Sequence, residues 1–144
     1  MIEQDTIKLL RECDAGIKMG VSSIDEVLDH VKDGKFRQLL YDCKSKHETL
    51  DSELQQLLDQ YHDEGKEPNA LIQGMSWMKS NVMMSMTPND ATIADLMTDG
   101  CNMGVKSLHR YLNQYRAADE NAKNMARRLS RLEEQLAVDM RGYL

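Results

Sequence analysis

The sequence predicts an all-α fold, a single bundle of four long helices with one additional short crossover helix. Apolar residues recur at steps of three and four along most of the 144 residues, which is the spacing of one helix face packed in a bundle. The chain has only 2 Pro and 8 Gly, and a β-sandwich would need more turn-forming residues than that. Aromatic residues make up 5% of the sequence, so we expect a core of Leu, Ile, Val and Met.

The first two predicted helices form a hairpin over residues 4–61. They cover about residues 4–31 and 35–61, and Asp33-Gly34 supplies the tight stop between them. The expected inward stripes are Leu10, Cys13, Ile17, Gly20, Ile24, Val27 and Val31 on the first helix, and Phe36, Leu40, Cys43, His47, Leu50, Leu54, Leu57 and Tyr61 on the second.

A shorter crossover helix is predicted over residues 69–86, with Pro68 at its opening turn. Thr87 then acts as the predicted cap of the next helix, with Asp90 closing a capping box. A Met-rich stretch within the crossover helix is read as core packing and as a surface for a protein partner around Trp77.

The second hairpin is predicted over residues 90–143, with helices at about 90–115 and 119–142. We place a turn at residues 116–118 and the N-cap of the last helix at Asp119. Since this junction contains no Gly and no Pro, one uninterrupted helix is the alternative, and it would force two chains to share a bundle. The expected inward stripes are Ala94, Met97, Cys101, Gly104, Leu108, Tyr111 and Tyr115, followed by Ala122, Met125, Leu129, Leu132, Leu136 and Met140.

A short internal repeat relates the two hairpins. Residues 13–18 read Cys-Asp-Ala-Gly-Ile-Lys and residues 101–106 read Cys-Asn-Met-Gly-Val-Lys, with the flanking stripes at the same offset. If the hairpins are equivalent and the crossover helix joins opposite ends, the first and fourth predicted helices are antiparallel. This is a ferritin-like up-down topology with one long crossover. Gly16, Gly20, Gly100 and Gly104 would let backbones approach closely, within the chain or in a dimer.

Residues 99–109, 111–120 and 129–134 resemble a family of small bacterial ferritin-like proteins of unknown function. The resemblance covers most of the chain and is strongest over residues 91–144. It implies a helical bundle, a cytoplasmic location and a bacterial source. Its motifs are packing motifs, and it transfers no residue-level activity.

The net charge, the hydropathy and the cysteine content of the sequence argue against several functional classes. The net charge of -6 and the pI of about 5.2 argue against nucleic acid, which requires clustered Lys and Arg. No run of 18 apolar residues is present, and the first residues lack the pattern of a secretion signal, so we expect no membrane partner. Cys13, Cys43 and Cys101 fit neither a disulfide framework nor a zinc pattern, and we expect reduced thiols in the cytoplasm.

A ferritin-type di-metal centre is not expected, because the chain contains no Glu-x-x-His sequence. The favoured interpretation of His47 is a core histidine bonded to a carboxylate or a carbonyl. The alternative is a transition metal ion, for which the candidate ligands are His47, Cys43, Cys13, Cys101 and Glu133.

The sequence contains no recognisable catalytic set, so we expect no catalytic and no cofactor-binding residues. The arginines of the last helix are expected to be balanced by acids on the same helix, leaving no phosphate site. We therefore predict a non-catalytic scaffold or protein-interaction module, forming a homodimer or binding another protein. The alternative is a metal-binding protein for storage or sensing that uses His47 and the thiols.

Overall fold

The computed structural model describes residues 2–66 and 89–144. Four long helices make up most of these residues: α1 (Ile2–Leu28), α2 (Gly34–Gln60), α3 (Asp90–Gln114) and α4 (Glu120–Asp139). A single 3₁₀ turn at Arg141–Tyr143 follows α4. No strand occurs in the part of the chain that the structure describes, so the all-α prediction is confirmed there. The predicted crossover helix and its Met-rich surface lie outside the described residues.

A side chain of the preceding residue caps the N-terminus of α2, α3 and α4. The carboxylate of Asp33 accepts a hydrogen bond from the Phe36 amide at 2.9 Å, and Asn89 and Asp119 cap α3 and α4 in the same way. The predicted cap of α3, Thr87, is therefore wrong: the cap is Asn89. The turn at 116–118 does interrupt the second hairpin, so the uninterrupted helix is excluded.

Two apolar clusters fill the bundle, one near each end. The first cluster joins the start of α1 and the end of α2 to the end of α3 and the start of α4, and it includes Leu9, Cys13, Leu54, Leu108, Met125 and Leu129. The second cluster joins the opposite ends of the same helices, and it includes Ile24, Phe36, Cys43, Ile93, Cys101 and Leu136. The shared ends show that α1 is antiparallel to α2 and to α3, and parallel to α4.

The two hairpins pack so that α1 and α4 form the short diagonal of the bundle. Each hairpin is closely packed within itself, and α4 also contacts both α1 and α2. Gly16 marks this diagonal, because a Cβ there would lie 3.4 Å from a methyl group of Leu129. At Gly16, the close approach expected from the glycines occurs within the chain, between α1 and α4.

Polar contacts hold the described chain at both ends of the bundle. At one end, the Asp90 carboxylate accepts hydrogen bonds from the backbone amides of Lys32 and Asp33. At the other end, the fully buried Asp14 carboxylate accepts hydrogen bonds from the Lys66 amide and the Gln55 side chain. The described chain therefore stops at one end of the bundle, at residue 66, and resumes at the other, at residue 89.

Most predicted core positions are buried, with a correction at the end of α2. Leu58 is fully buried there, whereas the predicted Leu57 and Tyr61 are only half-buried. Tyr111 and Tyr115 at the end of α3 are likewise half-buried, and their rings stack with centroids 6.2 Å apart. The buried positions shift away from the predicted stripe towards the ends of the helices. An α-helix has 3.6 residues per turn, so strict steps of three and four do not stay on one face over several turns.

Candidate functional site

A polar layer separates the two apolar clusters in the middle of the bundle. It consists of one residue from each helix: Gly20, His47, Gly104 and Glu133. Along every helix, the layer residue lies between members of the first and the second cluster, as Glu133 does between Leu129 and Leu136. His47 is 1% exposed and Glu133 is 9% exposed, so two titratable side chains occupy the centre of the molecule.

The imidazole of His47 uses one nitrogen within its own helix. Its Nδ1 lies 2.8 Å from the backbone carbonyl oxygen of Cys43, and a carbonyl can only accept, so Nδ1 carries the hydrogen. The Nε2 atom is then a lone-pair acceptor, and it is buried without a hydrogen-bond partner among the described residues. Burial lowers the pKa of His47, although the bond to Cys43 opposes this, so the ring is neutral at physiological pH.

Glu133 is the acidic member of the polar layer. Burial raises its pKa to about 8, so the carboxyl group is mostly protonated at neutral pH. Its Oε2 atom is buried and has no partner in the part of the chain that is described. The layer thus holds a buried acceptor on α2 and a buried carboxyl on α4, and no hydrogen bond joins them.

The two glycines make room for these side chains. A Cβ at Gly20 would lie 2.8 Å from Nε2 of His47, and a Cβ at Gly104 would lie 1.9 Å from Oε2 of Glu133. Either contact is shorter than real Cβ atoms tolerate. The glycines were expected to bring backbones together, but at these two positions they accommodate buried polar side chains.

The candidate metal ligands are only partly brought together. Cys43, His47, Cys101 and Glu133 lie in or beside the polar layer. Burial raises the pKa of both thiols, and the Glu133 carboxylate, which is ionised at the higher pH where a thiol titrates, raises it further. Cys13 lies in the first cluster, away from Cys43 and Cys101 in the second. Among residues 2–66 and 89–144, no three His, Cys, Asp or Glu side chains are arranged to hold one metal ion.

A second feature lies on the outside of the C-terminal hairpin, in a groove of about 480 Å³ between α3 and α4. Its lining carries four cationic side chains, Arg116, Lys123, Arg127 and Arg131, and one acid, Glu134. We call this feature the basic groove. Lys123, Arg127 and Arg131 follow one another at steps of four on α4, so they form one stripe along the helix.

The cations of the basic groove are weakly engaged by the protein itself. Arg127 approaches Glu120 at 3.6 Å, with both side chains largely exposed, and Arg116 donates to the Asn113 carbonyl. Lys123 and Arg131 have no ion pair within the described ranges. The prediction that acids on the same helix balance these arginines holds for Arg127, which pairs with Glu120 of α4. It is wrong for the neighbouring Arg128, which pairs with Glu53 of α2 instead.

Polar and apolar groups complete the wall of the basic groove. The buried hydroxyl of Ser130 lies 3.3 Å from Nε2 of His109, linking α4 to α3. Asn113 contributes an amide and Leu112 an apolar surface. Charged, amide and hydroxyl groups thus converge from both helices on one concavity, and Leu112 is its one apolar lining residue.

Sequence reasoning missed both the basic groove and the buried Asp14. The basic stripe at residues 123, 127 and 131 can be read from the sequence. Its proximity to Arg116 depends on the turn that follows α3. Asp14 holds the loop after α2, and Gly65 beside it has a φ of +85° and a Cβ position 2.3 Å from the Asp14 carboxylate. Neither the burial of Asp14 nor this close approach has a local sequence signal.

No helix of the described ranges is long and apolar enough to cross a membrane. Comparison of the chain with protein-family models, with curated proteins and with solved structures finds no match.

Proposed function

We propose that this protein is a non-catalytic binding module that takes an anionic partner in the basic groove. The observation that carries the proposal is the convergence of four cations and one acid in a single concavity of a chain whose net charge is -6. The remainder of the chain is therefore more acidic than its total suggests, and the groove is a local positive site on an acidic molecule. Such a site selects anions by charge and orients them as they approach.

The proposal includes the ferritin-like topology, a cytoplasmic setting and self-association as further expectations. The antiparallel arrangement of α1 and α3 supports the topology, because a ferritin-like fold requires it. The mass of the protein in solution tests whether it forms a dimer.

Retention on an immobilised polyanion such as heparin tests the groove directly. The double variant Arg127→Gln/Arg131→Gln removes two charges from the groove. The matched control, Lys35→Gln/Lys46→Gln, removes two charges from exposed positions on α2, a helix that lines no part of the groove. We expect the wild type and the control to be retained at low salt and the groove variant to elute at least twofold earlier in salt concentration.

The control matters because both double variants have the same net charge. If the two variants eluted together, retention would reflect overall charge rather than a site, and the proposal would fail. Both arginines are exposed, so circular dichroism spectra should confirm that the variants keep the helical fold.

A metal-binding function is the second candidate, and one observation favours it. His47 Nε2 and Glu133 Oε2 are both buried in the polar layer without partners among the described residues, and both are donor atoms for transition metals. A third ligand, Cys43 or Cys101, would have to move to complete a site.

Elemental analysis of the natively purified protein tests this candidate. Near-stoichiometric zinc, iron or copper that disappears in His47→Leu would establish it. In a metal-free protein, His47→Leu should keep or raise stability, since an unpartnered buried nitrogen is replaced by an apolar group. Metal-free wild type would eliminate the candidate.

A further inference from the structure

We propose that the basic groove binds a small ligand carrying two or three adjacent phosphoryl groups, such as a diphosphate or a triphosphate. This inference rests on the proposed function and names the chemical class of the anion. It follows from the charge of the lining, the types of donor and the size of the groove.

The charge of the lining exceeds what a single phosphate neutralises. The lining holds four cations and one acid, Glu134, so its surplus is three positive charges when His109 is neutral. The exposed Glu120, 3.6 Å from Arg127, lies outside the lining. A phosphate monoester carries about -1.5 to -2 at neutral pH, which leaves part of this surplus unbalanced. A ligand with two or three linked phosphoryl groups matches it.

The donor types also suit phosphoryl oxygens. Three of the four cations are arginines, whose planar guanidinium groups offer paired N–H donors to phosphate. Lys123, Arg127 and Arg131 are spaced by about 6 Å along α4, because each step of four residues advances the helix by that distance. Arg116 lies in the turn before α4. A phosphoryl chain lying along α4 is therefore contacted along its side by the stripe and at its end by Arg116.

The size of the groove favours a small molecule over a polymer. About 480 Å³ is within the range of small-molecule sites, whereas an acidic α-helix, roughly 10 Å across, would not enter it. Among the lining residues there is no Phe, Tyr or Trp ring on which nucleic acid bases could stack, and His109 supplies the one imidazole. Leu112 offers one apolar contact for the part of the ligand that carries no phosphate.

Isothermal titration of the full chain with inorganic tripolyphosphate tests the proposal. We expect saturable binding to the wild type and to Lys35→Gln/Lys46→Gln, and at least tenfold weaker binding to Arg127→Gln/Arg131→Gln. ATP is titrated in parallel. Tighter binding of ATP would support a nucleotide as the ligand, and equal binding would support recognition of the phosphoryl chain alone.

Hexaglutamate and a short single-stranded oligonucleotide complete the experiment. If either bound through the groove more tightly than tripolyphosphate and ATP, the phosphoryl class would be wrong while the anion-binding function would stand. If no anion bound, or if binding were unaffected by the groove variant, both proposals would be overturned.

Discussion

Gly104 has a different role from its neighbour Gly100, although both lie on α3. At Gly100 nothing lies within 4 Å of the position that an added Cβ would take, so Ala there only restricts the unfolded chain and favours the helix. At Gly104 the same methyl group would overlap the Glu133 carboxyl group, with its Cδ at 2.8 Å as well as its Oε2 at 1.9 Å. The whole carboxyl group would have to move within a packed interior.

We expect Gly104→Ala to lower the free energy of unfolding by about 1–2 kcal/mol, the overpacking cost less the gain in helix propensity. Gly100→Ala should raise it by about 0.5–1 kcal/mol. Urea titrations of both variants measure the difference. In a Glu133→Ala background the collision is absent, so Gly104→Ala should no longer destabilise, and a penalty that persisted there would refute the steric explanation.

The buried Glu133 makes stability depend on pH in a predictable direction. Its pKa is about 8 in the folded protein, against an ordinary value of 4.5. Between these values the folded state keeps the proton and the unfolded state releases it, so rising pH favours unfolding. Below about 4.5 both states hold the proton, and above about 8 both have lost it, so the effect levels off outside this window.

Relative to Glu133→Gln, the wild type should therefore lose up to roughly 5 kcal/mol of stability as pH rises from about 4.5 to about 8. Urea midpoints of both proteins at unit pH intervals provide the measurement. The Gln variant cancels the contributions of all other titrating groups. Parallel pH profiles for the two proteins would mean that Glu133 is ionised in the folded state.

At the scale of the element, Asp119 determines where α3 ends and α4 begins. Its Oδ1 accepts a hydrogen bond from the Ala122 amide at 2.9 Å, and its Oδ2 accepts one from the Tyr61 hydroxyl at 3.0 Å. Its backbone amide donates to Thr6 at 2.8 Å. One residue thus caps α4 and joins the turn to the ends of α1 and α2.

Asp119→Ala should reduce the free energy of unfolding by about 1.5–3 kcal/mol, because it removes a helix cap and one tertiary hydrogen bond. Tyr61→Phe removes only the tertiary bond and should cost about 0.5–1.5 kcal/mol. Thermal unfolding of the two variants separates the two contributions. Equal losses would show that the cap contributes nothing at this junction.

The sequence patterns predicted both ends of every described helix to within three residues. They did so because amphipathic spacing, Asp33-Gly34 and the Asp119 cap act locally. The error at the start of α3 has a tertiary origin. Thr87 and Asn89 are both cap-forming residues, and the choice between them depends on the contact of Asp90 with the preceding hairpin's turn.

At the scale of the whole molecule, each helix contributes to both apolar clusters, so the clusters should unfold together. Cys13 belongs to the first cluster and Cys101 to the second, and burial raises the pKa of both thiols. Neither thiol should react with an alkylating reagent until the bundle opens.

Alkylation across a urea series, followed by peptide mass spectrometry, measures this protection. We expect Cys13 and Cys101 to give the same free energy of opening, within about 0.5 kcal/mol, and that value should equal the free energy of global unfolding. A much lower value at one cysteine would show that its end of the bundle opens independently, contrary to a single cooperative unit.

The sequence by itself determined the all-α class, the two hairpins and most inward positions, because helix periodicity and caps are properties of neighbouring residues. His47 was also identified as a core residue in this way. Only the tertiary structure decided that Gly20 and Gly104 face His47 and Glu133, and that Arg116 joins the α4 stripe to form the basic groove. These features depend on how far each helix is rotated and shifted against its neighbours, and many long-range contacts set that register together.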